Sequence, residues 1–145
     1  MEEAIGLLIG QVIGGIIGAA IGSLIGAILL RAGAKWVAKI DVGYGTAYVA
    51  CFLSYLISGA VGLIVGFFVG LTSIDADDPD MILAVMQLVL MPIAFLIQAG
   101  VVSWRFRVGF GKACLISLVA IALGIAIVLS VVLVVMAIAV AIGGV

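Results

Sequence analysis

Histidine is absent from this 145-residue sequence, and only 9% of its residues are charged. Without imidazole the chain has no histidine base, no histidine-ligated haem and no ordinary zinc site. Its two cysteines, Cys51 and Cys114, lack CxxC spacing and indicate neither a metal site nor a redox pair. The formal net charge of −1 offers no basic surface to nucleic acid. We therefore expect no enzymatic activity, no cofactor, no metal site and no nucleic-acid partner.

Apolar residues dominate the chain instead, making up 68% of it. Soluble domains are roughly 45–50% apolar and about 25% charged. Polar groups as scarce as these do not cover a water-facing surface. The composition predicts an integral membrane protein.

Four uncharged runs divide the chain, and each is longer than the about 20 residues that a helix needs to cross the hydrocarbon core. They cover residues 4–30, 42–72, 81–103 and 113–145. The predicted fold is an all-α integral membrane protein, a four-transmembrane-helix bundle that forms a single membrane domain over residues 1–145.

The charges between these runs are sorted by sign. All six Lys and Arg residues lie in the first and third connections, whereas six of the seven acids lie at the N-terminus or within residues 75–80. Positive residues stay on the cytoplasmic side of a membrane. We therefore predict a multi-pass protein of the plasma (cytoplasmic or inner) membrane. Both termini and the acidic loop 73–80 lie outside in this topology, and the two basic loops are cytoplasmic.

The two basic loops resemble each other in sequence. Residues 42–47, Val-Gly-Tyr-Gly-Thr-Ala, correspond to residues 108–113, Val-Gly-Phe-Gly-Lys-Ala, at an offset of 66. This similarity predicts two tandem hairpin repeats, about 4–72 and about 81–145, which are parallel because each repeat holds two spans. Chance similarity between glycine-rich membrane segments is the alternative.

Small residues recur at every fourth position along the first two predicted helices. The expected helix-packing residues are Gly6, Gly10, Gly14, Gly18, Gly22 and Gly26 in the first helix, and Ser58, Gly62, Gly66 and Gly70 in the second. In lipid, such glycine zippers let helix backbones approach closely. A four-residue row drifts about 40° per step around the helix, so a single partner cannot follow all of it. We expect the first helix to contact an intramolecular neighbour along one half and another subunit along the other. Packing within one chain alone is the alternative.

Few polar groups interrupt the spans. Gln11 and Gln87 lie at similar depths, so their amides either pair between the first and third helices or face a partner or water. Pro92 removes one backbone hydrogen bond from the third helix and predicts a kink there.

Aromatic residues lie beside cationic residues in both basic loops. They are Arg31, Lys35, Trp36 and Lys39 in the first loop, and Trp104, Arg105, Arg107 and Lys112 in the second. Aromatic rings beside snorkelling cations anchor helices at headgroup level. We therefore expect these residues to contact membrane lipids, with anionic headgroups at the basic loops. A specific anionic-lipid site or a cytoplasmic partner is the alternative.

Two known families share features with this sequence. Residues 42–45 and 108–111 resemble the filter core of potassium channels. However, Asp41 and Arg107 occupy the family's threonine position, and the second loop leaves no room for a pore helix. The duplicated hairpin with glycine-rich helices is similar to the proteolipid subunits of vacuolar-type rotary ATPases, which need a mid-membrane carboxylate. Because no Asp or Glu lies inside the four runs, this second similarity is confined to architecture.

The sequence thus contains packing features without groups suited to chemistry. We predict a structural or accessory subunit of a membrane protein assembly, as a homo-oligomer or part of a larger membrane complex. One alternative is a small pore formed by oligomerised bundles, which requires a continuous polar stripe. The residues available for that stripe are Gln11, Ser23, Ser54, Ser58, Gln87 and Gln98. Another alternative is a membrane protein that binds lipid or another hydrophobic ligand near Pro92.

Overall fold

A computed structural model of the chain describes residues 1–72 and 78–143 and contains four helices there. They are α1 (Glu2–Val37), α2 (Tyr44–Thr72), α3 (Pro79–Phe106) and α4 (Phe110–Gly143). Each is long and apolar enough to cross a membrane. The predicted all-α, four-helix membrane fold is confirmed, and the chain is a multi-pass membrane protein. Most of the predicted acidic loop 73–80 lies outside the described residues.

The two basic loops begin where the backbone turns left-handed. Lys39 follows the end of α1 with a φ of 54°, and Arg107 caps α3 with a φ of 53°. A left-handed residue commonly ends a helix, and glycine usually occupies that position. Because α1 runs on to Val37, it includes Arg31 and Lys35 but not Lys39. Two of the three cations assigned to the first basic loop are therefore part of the helix.

A single buried cluster joins all four helices at one end of the bundle. Six of its eleven members are alanines. Because these side chains are small, the helix backbones approach each other closely there. Since the cluster flanks both basic loops, these loops lie at the same end, called the basic end below. The cluster consists of Ala27, Leu30, Ala34, Val42, Ala47, Ala50, Cys51, Val102, Ala113, Ile116 and Ala120.

The four helices form a ring in chain order. Neighbouring helices pack together, and α4 closes the ring against α1. Within the described residues, α1 does not contact α3 and α2 does not contact α4. This arrangement places α1 and α3 diagonally across the bundle, with space between them.

Two tyrosines in a row of stacked aromatic rings on α2 attach this helix to α1. The ring centres of Tyr44 and Tyr48 are 6.5 Å apart, and those of Tyr48 and Phe52 are 6.1 Å apart. The Tyr44 hydroxyl donates a 2.9 Å hydrogen bond to the Leu24 carbonyl, and the Tyr48 hydroxyl donates one of 3.3 Å to the carbonyl of Ala20. These contacts fix α2 along the half of α1 that is nearer the basic end.

The opposite end of the bundle, which carries Glu2, Glu3 and Asp80, is open. Residues 1–18 of α1 and 125–143 of α4 are all exposed within the chain. With 36 and 34 residues, these helices are about 50 Å long at ~1.5 Å per residue, well beyond the ~30 Å hydrocarbon core. Their outer halves therefore present long helical surfaces that the described residues do not cover.

Candidate functional site

The glycine row of α1 has two halves with different surroundings. A β-carbon built on Gly26 would lie 3.0 Å from the Cys51 sulfur, and one on Gly22 would lie 3.9 Å from the ring of Tyr55. At the other positions of the row, a β-carbon would meet no atom within 4 Å. These positions, called the open glycine row below, are Gly6, Gly10, Gly14 and Gly18.

The row of α2 does not pair with the row of α1 along its length. Ser58 lines a cavity at the centre of the bundle. Gly62 lines a groove between α1 and α2, where a β-carbon would still have space. Gly66 has similar space, and Gly70 lies close to the end of α2. The two rows therefore diverge towards the open end.

The tightest contact of any described glycine lies outside both rows. A β-carbon on Gly33 would be 2.8 Å from the carbonyl oxygen of Ile116, so α1 and α4 touch there through their backbones. The four-residue spacing does not predict this contact. Gly33 does lie seven residues after Gly26, on nearly the same face of α1, but Gly26 contacts α2 whereas Gly33 contacts α4.

A cavity of about 300 Å³ lies between all four helices. Its walls are mainly apolar, and its polar groups come from Ser54, Tyr55, Ser58 and Gln98. Fully buried core side chains lie on the side of the cavity that is nearer the basic end. The largest of these side chains are Leu30, Val102 and Ile116.

The intramembrane glutamines are not brought together. Gln11 is exposed and lines the groove between α1 and α2, while Gln87 is exposed on α3. Since α1 and α3 make no contact among the described residues, the amide pair is not formed within the chain. A third glutamine, Gln98, lines the central cavity instead. At Pro92, α3 continues as a helix.

Ser117 differs from three other serines inside the helices. The hydroxyls of Ser23, Ser54 and Ser130 each donate to the carbonyl oxygen four residues earlier. Ser117 in α4 is completely buried, and its hydroxyl has no partner among residues 1–72 and 78–143. A buried polar group without a hydrogen bond destabilises a fold by about 1–3 kcal/mol.

We expect Ser117→Ala to raise the free energy of unfolding by about 1 kcal/mol or more, because it removes that unsatisfied hydroxyl. Thermal unfolding of the detergent-solubilised chain measures the change. Ser54→Ala is the matched control, since it removes a hydroxyl that donates a 2.7 Å hydrogen bond to the Ala50 carbonyl. A melting temperature lower for Ser117→Ala than for Ser54→Ala would contradict the prediction.

All eight predicted interface residues are exposed at the basic end. Arg31 lies 3.6 Å from Asp41, and this is the one ion pair within the described residues. Because the Asp41 side chain is 87% exposed, the pair contributes little to stability. The predicted lipid contact of these residues stays a prediction.

No protein-family model, curated protein or solved structure matches the chain. Within the described residues, no three His, Cys, Asp or Glu side chains lie where they could hold a metal ion together. The features that remain for a function are the open glycine row, the central cavity and the exposed basic end.

Proposed function

We propose that the chain is a structural or accessory subunit of a membrane protein assembly and binds a helix of another subunit through the open glycine row. The observation that carries this proposal is the contrast within α1. Gly26 and Gly33 are packed against α2 and α4, whereas a β-carbon at Gly6, Gly10, Gly14 or Gly18 would meet no described atom within 4 Å.

Helix energetics support a partner at this surface. Glycine is about 1 kcal/mol less favourable than alanine in a helix interior, so four open glycines weaken an isolated α1. Against another helix, the same glycines permit close backbone contact, which is the main attraction between helices in lipid. The exposed isoleucines and leucines beside the row would form the walls of that contact.

The proposed subunit lies in the plasma membrane with its basic end in the cytoplasm. This orientation is supported by the sorting of charges, together with the meeting of both basic loops at one end of the bundle. The proposed tandem repeat is supported by the starts of α2 and α4 at Tyr44 and Phe110, which correspond at the 66-residue offset.

Gly14→Leu combined with Gly18→Leu tests the proposal, because two leucines would fill the open row and keep a partner backbone away. We expect the wild-type chain to form an assembly in native mass spectra from mild detergent. In the double variant, the dissociation constant is expected to rise about tenfold or more, which corresponds to roughly 1.4 kcal/mol.

Ala84→Leu combined with Ala122→Leu is the matched control, since both alanines are exposed and lie outside the glycine rows. This control should keep the wild-type stoichiometry. A wild-type chain that stays monomeric and without a partner at every concentration would overturn the proposal. An unchanged assembly in the Gly14→Leu, Gly18→Leu variant would do the same.

A second candidate function, binding of a small hydrophobic molecule, is favoured by the central cavity. Its volume of about 300 Å³ lies at the lower limit of small-molecule sites, which range over roughly 300–1,000 Å³. The amide of Gln98 and the hydroxyl of Ser58 would orient one polar group of the ligand. The same native mass spectra would show such a ligand as a small bound mass on each chain.

A further inference from the structure

A cleft of about 280 Å³ opens at the basic end between α2 and the end of α3. Its walls are formed by Thr46, Trp104, Arg105 and Arg107, and it is called the arginine cleft below. Thr46 belongs to the first turn of α2, while Trp104 and Arg105 belong to the last turn of α3 and Arg107 caps that helix. Two neighbouring helices thus bring their ends together around one concave surface.

The positive charge of the arginine cleft is not neutralised by any acid that the structure describes. Neither Arg105 nor Arg107 has a carboxylate within 4 Å in the part of the chain that the structure describes, where the one ion pair joins Arg31 to Asp41. The remaining described acids, Glu2, Glu3, Asp78 and Asp80, lie at the starts of α1 and α3, at the opposite end of the bundle. The two arginines that line the cleft therefore have no carboxylate partner among the described residues.

Hydrogen-bond donors at the start of α2 add to this charge. The first four N–H groups of a helix lack intrahelical acceptors, and Thr46 is the third residue of α2. Among the described residues, the Thr46 hydroxyl makes no hydrogen bond either. Helix starts carry partial positive charge and favour anions. The donors and the arginines therefore select for the same kind of ligand.

The backbone at Arg107 is also unusual. Its φ of 53° and ψ of 41° are left-handed, and a residue with a side chain is disfavoured in that conformation relative to glycine. The turn itself does not require arginine. The guanidinium that this residue adds to the cleft gives a reason for arginine at a position suited to glycine.

We infer that the arginine cleft binds a phosphate group, held by the forked guanidinium donors of Arg105 and Arg107 and by the donors at Thr46. Arginine matches phosphate geometry with paired N–H donors. Trp104 is 69% exposed beside the cleft, where an indole lies at headgroup level. An anionic phospholipid headgroup and free phosphate share this chemistry. The inference goes beyond the proposed assembly role and does not depend on it.

Native mass spectrometry of the full chain in detergent tests the cleft with three probes: phosphatidylglycerol, phosphatidylcholine and inorganic phosphate. We expect retention of phosphatidylglycerol about tenfold stronger than that of phosphatidylcholine. Arg105→Gln combined with Arg107→Gln should lower that retention about tenfold, and Thr46→Val should lower it by a smaller factor. Retention of inorganic phosphate alone, with the same loss in the arginine variant, would identify a soluble phosphate as the source.

Lys35→Gln combined with Lys39→Gln is the matched control, because it removes two positive charges at and just after the end of α1, outside the arginine cleft. It should change retention by no more than about twofold. Equal losses in the lysine and arginine variants would overturn the inference, since they would indicate only diffuse attraction by the basic end. Failure of both phosphatidylglycerol and inorganic phosphate to bind would overturn it too. The subunit count in the same spectra tests the assembly role separately.

Discussion

Gly33→Ala is expected to lower the free energy of unfolding by about 3 kcal/mol, at the upper end of the usual penalty for overpacking a core. The added β-carbon would lie 2.8 Å from the carbonyl oxygen of Ile116. That oxygen belongs to the backbone of α4 and cannot rotate away, so α1 and α4 must separate. The separation would loosen the buried cluster at the basic end. Thermal unfolding followed by circular dichroism in detergent measures the loss.

Gly14→Ala on the same helix is the control for this prediction. Its β-carbon would meet no atom within 4 Å, and alanine is about 1 kcal/mol better than glycine in a helix. The stability of the monomer should therefore stay equal or rise. Equal destabilisation by both substitutions would contradict the prediction. Trimming the neighbouring side chain by Ile116→Ala should not rescue Gly33→Ala, because the obstacle is the main-chain oxygen.

The spans could be predicted from the sequence because a charged side chain is costly inside lipid. The helix ends were less predictable. The uncharged run ends at Leu30, yet α1 continues to Val37, since Arg31 and Lys35 remain helical where their side chains can reach polar surroundings. The left-handed residue Lys39 follows the helix end, and no charge pattern encodes that conformation.

The glycine row could be recognised from its spacing, but its contacts could not. Spacing gives the face of a helix, whereas contact depends on how neighbouring helices cross. The crossing brings Gly22 and Gly26 to α2 and leaves Gly18 open. The glutamine pair illustrates the same limit. Equal depth suggested that Gln11 and Gln87 meet, although depth carries no information about which helices are adjacent in the ring.

Gly26→Ala should lower the free energy of unfolding by about 1–2 kcal/mol, and this loss should be relieved by Cys51→Ala. The β-carbon on Gly26 would lie 3.0 Å from the Cys51 sulfur but 3.7 Å from its β-carbon. Alanine at position 51 removes the sulfur and leaves a contact of ordinary length. Cys51→Ala alone should cost about 1 kcal/mol, because it empties a small volume in the core.

The double variant Gly26→Ala, Cys51→Ala separates a side-chain obstacle from a backbone one. Residues in direct contact commonly show coupling energies of about 0.5–3 kcal/mol, so we expect the double variant to be more stable than the sum of the two single losses predicts. The melting temperatures of the wild type, the two single variants and the double variant, measured in one detergent, complete this double-mutant cycle. Additive losses would contradict the prediction. They would indicate that main-chain atoms, and not the Cys51 side chain, limit how closely α1 approaches α2, as main-chain atoms do for α1 and α4 at Gly33. A favourable coupling at Gly26, combined with none between Gly33→Ala and Ile116→Ala, would show that α1 packs against α2 through side chains and against α4 through its main chain.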